Sequence, residues 1–110
     1  IAFSPDGNKI LASDSYNNRI LIWNTIPTTN GKAADVVIGQ VNFTTNSAGT
    51  SSTKLRYPTA LYVTPDGRLI VSDRNNNRIL IWNTIPTTNG KAADVVLGQV
   101  DFNSNEAGTS

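Results

Sequence analysis

The stretch RILIWNTIPTTNGKAADVV runs from Arg19 to Val37 and again, without a change, from Arg78 to Val96. Similarity continues on both sides. Ser13 to Arg19 (SDSYNNR) aligns with Ser72 to Arg78 (SDRNNNR), and Gly39 to Ser51 (GQVNFTTNSAGTS) aligns with Gly98 to Ser110 (GQVDFNSNEAGTS). Arg19 and Arg78 therefore set a period of 59 residues. Upstream, Ile1 to Ser13 matches Leu61 to Ser72 once one residue is inserted after the shared Pro-Asp-Gly, as a hairpin turn tolerates. Periods of this size belong to solenoids, propellers and arrays, in which one repeat cannot bury its own faces. The near-identity points to recent amplification or deliberate construction. The chain divides into a first repeat over residues 1–51, which lacks a lead-in segment, and a second over 52–110.

Local chemistry then assigns each part of the repeat. Pro5-Asp6-Gly7 and Pro65-Asp66-Gly67 separate two apolar runs, IAF from KILAS and ALYV from RLIVS. Proline presets the first turn dihedral and glycine accepts the positive φ that closes a tight turn, so each unit begins strand, turn, strand. The polar clusters Asp14 to Asn18 and Asp73 to Asn77 form a second turn, because Asn and Asp bond to nearby backbone and tolerate the left-handed region. Ile20 to Trp23 and Ile79 to Trp82 are four-residue apolar runs, too short for a helix, and read as a third strand. Asn24-Thr25-Ile26-Pro27 and its copy from Asn83 end that strand, because proline cannot donate to a ladder; Asn30-Gly31 and Asn89-Gly90 turn the loop, and DVVIGQ or DVVLGQ supplies a fourth strand. A polar linker, Thr44 to Thr53, leads onward.

The fold class that follows is all-β: β-propeller blades of four antiparallel strands, two near-identical repeats to the chain. A strand with one wet face alternates apolar and polar residues, whereas ILIW must be covered on both faces. Middle strands of propeller blades are covered in that way by their neighbours. A two-sheet sandwich is the competing architecture, with a β-solenoid beside it, but a sandwich does not require a 59-residue repeat.

Tyr57 to Trp82 resembles the NHL repeat: a proline before the first strand (Pro58), an apolar strand (Leu61 to Val63) and a D-G turn (Asp66-Gly67). A second strand ending in Asp73, then Asn76-Asn77-Arg78 and the apolar third strand through Trp82, complete the pattern. The first copy carries Asp6-Gly7, Asp14, Asn17, Asn18, Arg19 and Ile20 to Trp23. Its outer excursion and tail make this unit longer than is typical, like bacterial NHL-like repeats with extended outer loops. The resemblance implies a propeller, commonly six-bladed, that serves mostly as a binding platform. It also makes the motif arginine a structural partner of the turn.

Two blades cannot close a ring, since propellers take about four to eight. Exposed blade faces are apolar patches that invite association. The expected partners are therefore copies of the chain itself, three of which would make a six-bladed ring, or further blades of a longer array; the start at Ile1, inside a strand, favours the latter. A protein or glycan ligand is a further possible partner for the loops.

Nothing in the residue types points to catalysis. The chain has neither histidine nor cysteine, so the common metal ligands, general base and thiol nucleophile are missing. The expectation is a non-enzyme without cofactor or metal. Asp73-Arg74-Asn75-Asn76-Asn77 imitates the start of a calcium loop, but Arg78 replaces the glycine at position six and Thr84 the glutamate at position twelve. Trp23 and Trp82 could stack on a sugar, although a ring buried between blades is the favoured reading. Asp14, Asn17, Asn18, Arg19, Trp23 and their copies Asp73, Asn76, Asn77, Arg78, Trp82 are thus assigned to a structural motif. A net charge of +1 leaves no footprint for nucleic acid, and no apolar run is long enough for a membrane helix. The abundance of Asn, Thr and Ser leans toward an extracellular setting. Asn42-Phe43-Thr44 is a sequon that the second copy loses and reads as chance. The functional expectation is a propeller-forming binding and assembly scaffold. Beside it stand a designed or purely structural unit without natural ligand, and a fragment of an NHL-type enzyme or RNA binder.

Overall fold

In a computed structural model of the chain, which describes residues 1–108, each repeat forms one four-stranded antiparallel sheet. The first contains β1 (Ala2–Phe3), β2 (Ile10–Asp14), β3 (Arg19–Trp23) and β4 (Val36–Ile38); the second contains β5 (Pro58–Val63), β6 (Leu69–Asp73), β7 (Arg78–Trp82) and β8 (Val95–Leu97). Strands lie in chain order within each sheet, so each blade is a plain meander. The expected all-β, blade-type fold is what is found, as two adjacent sheets and not a closed ring. None of its helices is long and apolar enough to cross a membrane among the described residues.

The turns form for the reasons that their residues give. Gly7 and Gly67 take φ of 77° and 92°. In the first hairpin Ser4 N bonds Lys9 O, and in the second Thr64 N bonds Arg68 O, so the inserted residue is absorbed within the turn. After the second strand, Ser15–Asn17 and Arg74–Asn76 make one 3-10 turn each, and Asn18 and Asn77 close it in the left-handed region at φ 55° and 53°. The fourth strands are shorter than DVVIGQ suggests. Gly39 and Gly98, at φ 92° and 91°, take the chain out of the sheet directly after Ile38 and Leu97.

The core is the seam between the sheets. Leu11, Ile20, Ile22, Val36 and Ile38 from the first blade form one cluster with Leu69, Val71, Leu80 and Trp82 from the second. Because side chains alternate between faces, identical strands are buried in opposite phase. In β3, Ile20 and Ile22 are buried; in β7, Arg78, Leu80 and Trp82 are. Each blade spends one apolar face on its neighbour, at roughly 1.5–3 kcal/mol for every large side chain fully withdrawn from water. The other face of the second blade stays accessible, with Ile79, Val95 and Leu97 exposed to 40%, 38% and 49%, whereas on the first blade's other face Leu21 and Trp23 are half-buried.

Candidate functional site

The D-x-x-N-N-R turn sits at one end of the seam. Asp73 ends β6 and Arg78 begins β7 directly opposite it, so the two side chains leave neighbouring strands on the same face. Arg78 Nε donates to Asp73 Oδ2 at 2.8 Å with both side chains fully buried. Burial of an ion pair is tolerable only when the remaining donors and lone pairs are also satisfied. Here they are: Arg78 Nη1 donates to Phe102 O, and Nη2 to Ser51 O and Lys54 O. Asp73 Oδ1 accepts from Arg56 N, and Asn76 Nδ2 donates to Asp73 Oδ2 and to Gly49 O. The motif therefore ties both the lead-in and the trailing linker of its repeat to the turn. In the first repeat Arg19 Nε meets Asp14 Oδ2 at 2.7 Å, and Asn17 and Phe43 O supply the equivalent bonds. That pair is partly exposed, at 19% and 29%.

The long excursion between third and fourth strands, which the sequence marked only as a loop, has two anchors. Trp23 Nε1 donates to Lys32 O, Trp82 Nε1 to Lys91 O, and Asp35 and Asp94 carboxylates accept from Asn24 N and Asn83 N. The second excursion then reaches backward across the seam. Asn89 Oδ1 accepts from Val37 N at 3.0 Å and Gly90 N donates to Val37 O at 2.9 Å. The outward-facing groups of edge strand β4 are thereby closed, which is how sheet edges avoid unwanted pairing. Trp82 is buried in the core, while Trp23, identical in sequence, is half-buried.

A third element escaped sequence reasoning. Leu55, in the segment before β5, is 1% exposed and lies over Gly39, where an added Cβ would come within 2.6 Å of its Cδ1. Beside it Tyr57 takes φ 54° and donates its amide to Asn18 Oδ1 at 2.8 Å. Ser15 Oγ donates to Pro58 O and Ser13 Oγ to Thr59 O. Tyr16, 85% exposed, meets the Tyr57 ring edge-on at 5.2 Å, and its neighbouring hydroxyl raises the Tyr57 phenol above its ordinary value. The only available signal was the apolar Leu55 inside an otherwise polar linker.

The other acids serve turns. Asp6 accepts from Ser4 Oγ and Asn8 N, Asp66 from Thr64 Oγ1, and Asp101 from Ser104 Oγ and Asn103 N; these bonds hold all three carboxyls below the usual range. Asn42, the sequon residue, accepts from the Thr44 amide and hydroxyl in the same manner. Among the described residues no three His, Cys, Asp or Glu side chains gather where they could hold a metal ion.

The family model of the NHL repeat matches residues 55–82. The resemblance read from the D-x-x-N-N-R turn is thus borne out across that segment, which begins at the seam residue Leu55 and ends at Trp82. No curated protein matches the chain.

Proposed function

We propose that the chain is an assembly module whose activity is to dock blade against blade, copy to copy, and so build a propeller-type scaffold. The observation that supports this is the opposite-phase burial of identical strands. Ile20, Ile22, Val36 and Ile38 are buried at the seam, while their counterparts Ile79, Val95 and Leu97 are exposed and Ile81 is half-buried. On the complementary face Leu80 and Trp82 are buried in the second blade while Leu21 and Trp23 are half-buried in the first; the fourth strand departs from this, with Val37 buried and Val96 half-buried. The exposed face of the second blade and the open face of the first are therefore the two sides of an interface that the chain already makes internally.

Docking two such faces is a head-to-tail contact, and contacts of that kind close into rings or continue as filaments. Three chains would close a six-bladed ring. The backward-reaching loop supplies its register: Asn30-Gly31 of an incoming copy would cover the polar groups of Val96 as Asn89-Gly90 covers those of Val37. Light scattering after size exclusion tests the reading. A discrete mass of three 11.8-kDa chains is expected. A chain that stays monomeric as its concentration rises overturns it.

A further inference from the structure

The lead-in Leu55–Thr59 fills a shaped socket on the first blade. Gly39 leaves room for Leu55, Asn18 Oδ1 receives the Tyr57 amide, and Ser13 and Ser15 donate to the carbonyls of Thr59 and Pro58. These are backbone bonds to a segment that bends at Tyr57, where φ is 54°, plus one apolar side chain in a glycine-floored hollow. That is the chemistry of peptide recognition, in which main-chain bonds give affinity and a side-chain pocket gives selectivity.

The second blade carries the same socket, already in shape. Asn77 holds φ 53° against 55° for Asn18, and Gly98 holds φ 91° against 92° for Gly39. Ser72 stands at the position of Ser13, and Arg74 replaces Ser15 with a side chain that also donates. The outer shape is held by the same bonds as in the first blade: Asn77 Nδ2 donates to Asn105 O, and Gln99 Nε2 donates to Asn77 O and Glu106 O, as Asn18 and Gln40 do to Asn46, Asn18 and Ser47. The difference is access. Gly39 and Gln40 are buried beneath the lead-in, whereas Gly98 is exposed and Gln99 half-buried.

We infer that this second socket is a binding site for a Leu-Arg-Tyr-Pro-Thr segment bent at its tyrosine, supplied by the lead-in of another repeat of the same kind. The copy of this segment at Leu55–Thr59 is seated on the first blade, and it shows what the socket takes. This is distinct from blade-to-blade docking, because the socket takes a short peptide segment over Gly98 and not the face of a sheet.

The test titrates a capped synthetic peptide of sequence TKLRYPTA, matching Thr53–Ala60, into the full chain by calorimetry, with the mass followed by light scattering. One-to-one saturable binding is expected, lost at least tenfold when the peptide leucine is replaced by alanine and weakened when the protein carries Ser72→Ala. A Gly98→Ala chain, with a methyl where the leucine would rest, should not bind; circular dichroism checks that it folds. Absence of saturation, or equal binding of a scrambled or Leu→Ala peptide by the wild-type chain, overturns the proposal. A peptide that binds a strictly monomeric chain sustains the socket while removing self-association, so the two readings fail separately.

Discussion

Asn89 in the second repeat accepts the main-chain amide of Val37 in the first, at 3.0 Å. The residue one period earlier, Asn30, lies in the same sequence and is exposed. The molecule thus contains its own control. Asn89→Ala should lower unfolding stability by about 1 kcal/mol, the net worth of one such bond, whereas Asn30→Ala should leave the stability of an isolated chain within about 0.5 kcal/mol. If docking between copies uses the same clasp, Asn30→Ala instead weakens association. Urea denaturation at low concentration reads the first effect and concentration-dependent light scattering the second.

The motif arginines should differ in the same way. Arg78 pairs with Asp73 in a fully buried network, and Arg78→Ala strands that carboxylate, at a cost of roughly 3–5 kcal/mol. Arg19 and Asp14 keep 19% and 29% exposure, so water can take over their bonds, and Arg19→Ala should cost about 1 kcal/mol. Equal losses for the two variants in denaturant unfolding would contradict the burial argument.

Gly39 and Gly98 have nearly the same φ, so alanine at either position carries the strain of the left-handed side, about 1–2 kcal/mol. At Gly39 the new Cβ also meets Leu55 Cδ1 at 2.6 Å and Asn18 O at 2.8 Å, whereas at Gly98 the nearest atom is Asn77 O at 3.2 Å. Gly39→Ala should therefore melt well below Gly98→Ala. Adding Leu55→Ala to Gly39→Ala relieves part of the clash, so the double variant should lose less than the sum of the singles.

Acid should loosen the turns before the core. Asp6, Asp66 and Asp101 have folded-state pKa values held below the ordinary aspartate value, principally by hydroxyl donors from Ser4, Thr64 and Ser104. A lowered folded pKa means that the folded state binds protons less readily than the unfolded one. The contribution is complete above roughly pH 4 and disappears as pH falls through the lower folded values. Thermal melts from pH 6 to pH 2 should show that decline, and Asp66→Asn, which cannot titrate, should flatten part of it.

Much of the blade could be read before any coordinates. Pro-Asp-Gly, the Asp-to-Asn polar cluster and the four-residue apolar run each act within a few residues of chain, and each produced the turn or strand that its chemistry requires. The pairing of Asp73 with Arg78 across β6 and β7 follows from the hairpin register that this turn imposes. Leu55 and Tyr57 could not be placed in that way. They act across the seam on Gly39 and Asn18, and nothing in a linker's composition says which distant hollow a leucine will enter.

The repeat, its strands and its turns follow from the order of residues, because they depend on backbone preferences and on side chains close together along the chain. Which face of each identical strand is buried follows instead from the packing of one blade on the other. RILIW is the same five residues in both blades, yet Ile20 and Ile22 are covered in one and Leu80 and Trp82 in the other. Burial is a property of what lies opposite, and each blade has its partner on a different side.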